Sequence, residues 1–387
     1  MEAAKKLGLQ IFLVAPNLPV WAREIVDQFI QADTTNYPET LSTLHKTYQN
    51  TPFDGVITLL DKSVELVAAI AQEFNLPGST LEAATTVKHK YRMREALRRN
   101  HIPHPKFQFV KTLTDLHTAA CHIGFPLIFK PVAASTSVAV FKINSIEQLE
   151  ETFHLMTTCD RPSYWLYSDE YIAEEFMAGQ EISIEGIINH GQIHFAGITN
   201  KSVSSPGFTE WMHCFPTDFE LETCSQIYEM VKKAIDAVKI NHCAFHVEIM
   251  MTAEGPKIVE INSRMAGAFI SSHLVPLATG IDLASASVLT ALGHPIELKP
   301  SHHLYACERN LFAKNNGTII NWKHTEAIMN QPGVRDFKIL RHVNEYVKVP
   351  PDGYDNLLCA VITTGKTFSQ AQELAEKALN SIECIIE

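Results

Sequence analysis

One short apolar stretch constrains this chain more than any other, because it carries a carboxylate, an amide and a guanidinium at alternate positions. In Val259-Glu260-Ile261-Asn262-Ser263-Arg264, the side chains of Glu260, Asn262 and Arg264 share one face if the segment is extended. Residues 244–251 read as a second strand, joined to residues 256–261 through the turn 252–255. Pairing of the two would bring Glu248 to the same face. Two carboxylates and an amide oxygen form a hard, oxygen-only set suited to Mg²⁺ shared with phosphates, a role Mn²⁺ can also fill. The planar fork of Arg264 suits a phosphate or a carboxylate. A solvated polar strand edge would show the same letters, so other segments have to decide between the two.

The flanking sequence alternates short apolar strands with helices, which predicts an α/β fold with a parallel sheet at its start. Helix is expected to end at residues 2–6 and to recur over 21–30 and 63–74, the last capped by Ser63; strands are expected over 10–15 and 55–60. Opening on a helix, where such a domain would begin with a strand and a glycine turn, raises the expectation of a trimmed or mis-started amino terminus. Residues 85–99 predict one charged helix, ended by His101-Ile102-Pro103-His104-Pro105. Residues 106–145 read as strand, helix, strand, with 126–131 the clearest strand. Residues 171–176, 181–188 and 192–198 read as successive antiparallel strands, with Asn189-His190-Gly191 as a hairpin turn. Helices are expected over 221–238, 281–292 and 369–379, and strands over 336–340 and 356–364.

Several function classes are excluded. A formal charge of −11, from 32 Lys plus Arg against 43 Asp plus Glu, argues against a nucleic-acid binder. No uninterrupted apolar run of about 18 residues exists; the stretch 265–281 is broken by His273, Pro276 and Gly280, so neither a membrane span nor a membrane partner is expected. With Glu2, Lys5 and Lys6 at its start, the sequence shows no apolar run of the kind a cleavable leader has, and no signal peptide is expected. The 8 cysteines are scattered without CxxC spacing, which predicts reduced thiols and a cytoplasmic protein. No G-x-G-x-x-G follows a strand, which makes a nicotinamide dehydrogenase a poor reading.

Three further signals accompany the polar strand. Lys130 closes an apolar strand just before Pro131, aimed at solvent or at an anion. Lys90, on the charged helix, is a second candidate phosphate contact. In Ala173-Glu174-Glu175-Phe176-Met177-Ala178-Gly179-Gln180-Glu181 an extended strand breaks at Gly179, where backbone groups can meet a purine edge and a carboxylate can take ribose hydroxyls. Together, His89-Lys90-Tyr91-Arg92-Met93-Arg94, Gly124-Phe125-Pro126 through Lys130-Pro131, Glu174 through Glu181 and Val259 through Arg264 resemble the ATP-grasp superfamily in order and spacing, from about residue 86 to 298. The resemblance implies an ATP-grasp fold: a Rossmann-like parallel-sheet domain (1–85), a central lid subdomain (86–170), a catalytic subdomain (171–300) and a closing domain (301–387). It places Lys90 and Lys130 on the ATP phosphates, Glu174 with the Phe176–Met177 backbone on adenine, and Glu181 on the ribose. Glu248, Glu260 and Asn262 would hold two Mg²⁺, and Arg264 would face the transferred phosphate.

Within the superfamily, Phe208-Thr209-Glu210-Trp211-Met212-His213 is similar to the L-amino acid ligases that make dipeptides. By that likeness Glu210 would help hold the substrate amino group or a metal, and His213 would lie beside the reacting carboxylate and accept the amine's proton. A polar loop without chemistry is the plainer reading of those two residues. The phosphate loop departs from the family: Ala133-Ala134-Ser135-Thr136-Ser137-Val138-Ala139-Val140 has no glycine, so Ser135 and Ser137 would supply hydroxyl donors alongside backbone amides. The expected activity is an ATP- and Mg²⁺-dependent ligase joining an amino-acid carboxylate to an amine through an acyl phosphate. The alternatives are a non-catalytic ATP-binding protein or a ligase for another carboxylate and amine pair. The expected partners are small amino acids, with a homodimer the default assembly.

Overall fold

Alternating apolar residues make strands of much of the chain between residues 107 and 262, and the connections between them decide how the strands pair. The computed structural model describes residues 1–134, 139–158, 169–204, 208–349 and 356–387. Ser135 and Ser137 lie outside the described residues.

At the amino terminus β1 (Phe12–Ala15) and β2 (Gln28–Gln31) pair in parallel. The parallel pairing matches the sequence reading, but β2 comes from residues expected to be helical. Only Val20–Ala22 coils there, as a 3₁₀ turn. Asp27 explains the change: its carboxylate accepts the Ile11 N–H at 2.7 Å and the Lys5 ammonium at 2.6 Å, pinning the start of β2 beside β1. Residues 55–60, expected as a strand, join no sheet. A Cβ added at Gly55 would come within 2.6 Å of the Ala291 carbonyl oxygen, so this segment packs against a helix instead. Ser63 precedes the helix Val64–Glu73 but makes no side-chain cap bond, because a 3₁₀ turn, Asp61–Ser63, leads into it. The single helix expected over 85–99 is two, Leu81–Lys88 and Lys90–Arg99, broken at His89. There the Lys90 N–H donates to the Val132 carbonyl at 2.8 Å rather than to its own helix.

A four-stranded antiparallel sheet follows, built from β3 (Phe107–Val110), β4 (Leu127–Pro131), β5 (Phe141–Ile143) and β6 (Tyr171–Glu175), in the order β3-β6-β4-β5. The sequence grouped β6 with the two strands after it; the structure puts it in this smaller sheet. The change of sheet happens at Gly179, where a Cβ would lie 2.1 Å from the Met251 carbonyl oxygen, so only glycine lets the crossing chain lie so close.

The larger sheet has eight strands. They are β7 (Gln180–Asn189), β8 (Gln192–Val203), β9 (Glu210–Phe215), β10 (Cys243–Thr252), β11 (Gly255–Asn262), β12 (Tyr305–Phe312), β14 (Val334–Ile339) and β16 (Leu357–Gly365), in the order β11-β10-β7-β8-β9-β12-β16-β14. The β7–β8 hairpin turns through His190 and Gly191, both at positive φ (49° and 74°), as expected. A fourth sheet, ordered β15-β13-β17, joins β13 (Gly317–Lys323), β15 (Tyr346–Val347) and β17 (Glu383–Ile386). The helix Leu221–Val238, as predicted, covers one face of the large sheet, packing Ile227, Val231, Ala234 and Ile235 on Ile182, Ile184, Ile198, Val247, Ile249 and Ile258. Each buried aliphatic side chain there contributes about 1.5–3 kcal/mol. The period of two then sends their polar neighbours to the opposite face. Among the described residues no single helix is long and apolar enough to cross a membrane.

Candidate active site

The opposite face of the large sheet holds a continuous chain of charged side chains drawn from adjacent strands. Lys201 on β8 is its centre. Its ammonium lies 2.7 Å from Glu181 (β7), 2.8 Å from Glu248 (β10) and 2.5 Å from Glu210 (β9). The carboxylates of Glu181, Glu210 and Glu248 converge within 4.8 Å of one another, a spacing a metal could use. Lys201 contacts all three, Glu210 and Glu248 alike, so in this structure the lysine ammonium is the cation that the three carboxylates share. Burial works against the Lys201 charge, but the three carboxylates outweigh it and hold the ammonium well above its usual range. Burial likewise opposes the charge on Glu210, yet Lys201 and His213 pull its pKa down to about 2. Glu181 moves the other way: burial, with Glu248 and Glu210 adding to it, outweighs Lys201 and raises its pKa.

Glu210 and His213 are three apart on a strand, which ordinarily sends their side chains to opposite faces. The structure brings both to the site through a bulge: Ser202 pairs with Met212 and Val203 with Glu210, leaving Trp211 as the extra residue. His213 is fully buried, with Nδ1 2.5 Å from Glu308 on β12 and Nε2 3.0 Å from Glu210. Burial opposes its charge, but these two carboxylates raise its pKa to about 9. A proton acceptor near neutrality, the role the resemblance implies for His213, needs a ring nitrogen without a proton, and both nitrogens here face carboxylates. On the other side of Lys201, His246 links Glu248 (3.3 Å) to the fully buried Glu185 (3.0 Å), which also accepts from Ser183 and Thr199 at 2.7 Å each.

Glu248 and Glu260 sit directly opposite each other across β10 and β11, and His246 opposite Asn262. Like charges placed directly opposite are unfavourable unless a cation shares them. Here Lys201 approaches Glu248, while Lys90 reaches Glu260 at 3.0 Å and the Ala134 carbonyl at 2.9 Å. Glu248, Glu260 and the buried Asn262 therefore fit a Mg²⁺ site by donor chemistry and by placement.

Around the small sheet the balance differs. Glu174 is buried between Lys130 and Arg94, 2.7 Å from each; despite burial, the two cations hold its pKa near 2. Arg94 also donates to the Val259 carbonyl at 2.7 Å, tying the small sheet to β11. The carboxylate expected to meet adenine is thus engaged with the lysine expected to meet phosphate. The Phe176 N–H donates to the Pro126 carbonyl at 3.4 Å, so one donor of the expected Phe176–Met177 purine edge already has an acceptor. Nearby, Lys88 pairs with Asp61, and Arg264 Nε lies 3.7 Å from the same aspartate. Burial, with help from Lys90 and against Glu260, lowers the Lys88 pKa to about 7. Arg264 also donates to the Met265 carbonyl at 2.9 Å and lines, with Val56–Leu59, Val64, Ala84, Cys243 and Ala244, a small cleft.

Lys201, Glu308, Arg94, Lys88, Asp61 and His246 were not singled out from the sequence. For Arg94 a signal existed: Lys90, Met93, Arg94 and Leu97 are buried at helical spacing in a segment that reads as a charged surface helix.

Residues 123–272 match the family described as ATP-grasp domain, residues 1–78 the ATP-grasp N-terminal domain, and residues 309–387 the L-amino acid ligase C-terminal domain 2. The alanine–anticapsin ligase of Bacillus subtilis is 30% identical over 231 residues, covering 55% of this chain and 49% of that protein. An L-arginine-specific L-amino acid ligase of Bacillus subtilis is 26% identical over 342 residues, covering 86% of this chain and 80% of that one. The crystal structure of an L-amino acid ligase from Bacillus licheniformis superposes with a TM-score of 0.84 at 22% identity, over 100% of this chain and 95% of that chain. The chain spans about half the length of the alanine–anticapsin ligase it matches.

Proposed function

This chain belongs to the ATP-grasp superfamily, and from that premise we propose that it is an ATP-dependent carboxylate–amine ligase that joins two amino acids into a dipeptide, releasing ADP and phosphate. One observation carries the reading: Lys90, from the cations gathered around the small sheet, reaches Glu260 on the carboxylate-bearing face of the large sheet at 3.0 Å. A binding protein has no need of both.

In this reading Lys90 and Lys130 hold the ATP phosphates, Glu181 the ribose, and the backbone at Phe176–Met177 the purine. Glu174 keeps Lys130 aimed rather than touching the base. Glu248, Glu260 and Asn262 would hold Mg²⁺, whose contribution is to screen the phosphate charge and polarise the transferring group. A carboxylate resists attack because its charge repels a nucleophile and oxide is a poor leaving group; transfer of the γ-phosphate to it removes both obstacles. The amine of the second amino acid then attacks the carbonyl and expels phosphate. Arg264, a planar donor 3.7 Å from Asp61, would stabilise the oxyanion that forms. Glu210 would hold the substrate amino group. Cytoplasmic location and a homodimer remain part of this proposal.

The test supplies amino-acid pairs whose carboxylates carry ¹⁸O, with ATP and Mg²⁺. One ¹⁸O per turnover in the released phosphate, ADP as the nucleotide product and a dipeptide by mass spectrometry are expected. AMP carrying the label would sink the mechanism. ATP hydrolysis indifferent to amino acids would favour a protein that binds ATP without ligation.

A further inference from the structure

Both ring nitrogens of His213 already face a carboxylate. Nδ1 is 2.5 Å from Oε2 of Glu308, and Nε2 is 3.0 Å from Oε2 of Glu210. An ionised carboxylate only accepts, so each contact requires a ring N–H, and a neutral imidazole has just one. The other contact would then set two lone pairs against each other inside the protein. His213 is 0% exposed and Glu308 1%, so water does not relieve such a mismatch. Backbone register fixes the arrangement, because Glu308 on β12 lies directly opposite His213 on β9.

We propose that Glu308 is a positioning residue of this site: together with Glu210 it takes the two N–H groups of His213, fixing a doubly protonated ring that acts as a permanent cation and not as the base for the amine. The inference rests on the ligase reading of the site. The consequence falls on Glu210. Its Oε2 is held by His213 and its Oε1 by Lys201, so the carboxylate stays ionised and in one orientation, ready for a substrate ammonium group. Glu308 thus acts through His213 on Glu210, from a strand beyond those that carry the metal and ribose residues. The charged groups on elements packed around the ring are Glu210 on its own strand, Lys201 across β8, and Glu308 and Arg309 on β12. His273 on the neighbouring turn Ile270–Leu274 is itself bonded to Asp336 at 3.1 Å.

The experiment is ¹⁵N NMR of the full chain labelled at histidine, without ligands, from about pH 6 to 8.5, with His213 assigned by comparison with His213→Asn. Protons on both ring nitrogens of His213 across this range are expected. A wild-type ring with one bare nitrogen at pH 7 would overturn the proposal. Glu308→Gln keeps an acceptor and removes the charge. It should let the ring lose a proton about one pH unit or more lower, and should move the alkaline limb of the kcat profile down with it, while leaving the KM for ATP unchanged. A folded Glu308→Gln protein with the wild-type ring titration and pH profile would also overturn it. If that variant does not fold, the wild-type spectrum decides. The spectrum needs no turnover, so absent ligase activity would count against the function and not against Glu308.

Discussion

The two sheets that meet at the site carry opposite charge surpluses. Beside the small sheet, one buried carboxylate, Glu174, is shared by two cations, Arg94 and Lys130. On the large sheet one buried cation, Lys201, is shared by three carboxylates, Glu181, Glu210 and Glu248. Each cluster is locally paired, and each is left unbalanced in a different direction. A surplus of cations suits an anion such as a triphosphate, and a surplus of carboxylates suits a divalent metal or an ammonium group. In the ligase reading, the missing charges of both lobes arrive together with the substrates. The lesson is that the protein supplies half of each electrostatic balance and leaves the other half to what it binds.

Removing the central charge from each lobe should break this comparison unequally. Lys201→Met removes the one cation that the three converging carboxylates share, leaving Glu210 and Glu248 a histidine each and Glu181 none in this cluster. Breaking a buried pair by removing one partner costs about 3–5 kcal/mol, so a loss of that order is expected in urea unfolding, together with loss of activity. Adding Glu210→Gln to it should recover part of the stability, because one of the stranded charges goes. Glu174→Gln keeps one acceptor oxygen, but it loses the charge and turns the other oxygen, which faced Arg94 or Lys130, into an NH₂ donor. Hydrogen bonds to charged groups contribute about 1.5–3 kcal/mol, and a loss within that range is expected by the same measurement. A greater loss for Glu174→Gln than for Lys201→Met would show that the large-sheet cluster is not held by its lysine.

The two lobes also differed in how far the sequence disclosed them. Lys130, Glu174, Glu260 and Asn262 were legible because each lies at the end of an apolar strand, where a polar side chain is conspicuous. Lys201 was not, because it follows Thr199 and Asn200 and precedes Ser202, a run of polar residues that reads as a strand finished at Ile198. In fact β8 continues to Val203, and only every second one of those side chains faces the site. Glu308 was hidden for another reason. Its role depends on the register of β12 against β9, strands about a hundred residues apart, and no local pattern encodes such a pairing. The Trp211 bulge is similar: without it the spacing of Glu210 and His213 argues that they face apart. At the amino terminus, β2 was misread as helix because the contact that pins it, Asp27 to the Ile11 N–H, is also non-local. Strand existence and alternation are local properties, whereas register, bulges and cross-strand ion pairs belong to the assembled sheet.

The smallest expected effect sharpens the comparison most. If the large-sheet lobe holds one carboxylate too many for Lys201, the surplus should be identifiable, and Glu181 is the candidate. Glu210 and Glu248 each have a histidine as a second cation, whereas Glu181 meets Lys201 alone among the cations of this cluster. Its raised pKa has burial as the first cause, with Glu248 and Glu210 adding to it and Lys201 opposing. A carboxyl that is harder to ionise in the folded than in the unfolded chain lowers stability at neutral pH. That cost vanishes as pH falls below the unfolded value, near about 4.3. Glu181→Gln should therefore raise the midpoint of thermal unfolding at pH 7, by an amount equivalent to about 0.5–1 kcal/mol, and leave it unchanged near pH 4. The same substitution weakens the contact assigned to the ribose, which is made alike before and during reaction. It should raise the ATP concentration needed for half-maximal rate more than it lowers the maximal rate. Gain in stability with loss of ATP affinity would mark Glu181 as a charge kept for a ligand at the expense of the fold. A Glu181→Gln protein that is less stable at pH 7 would mean Lys201 needs all three carboxylates, and the large-sheet lobe would then be balanced without any ligand.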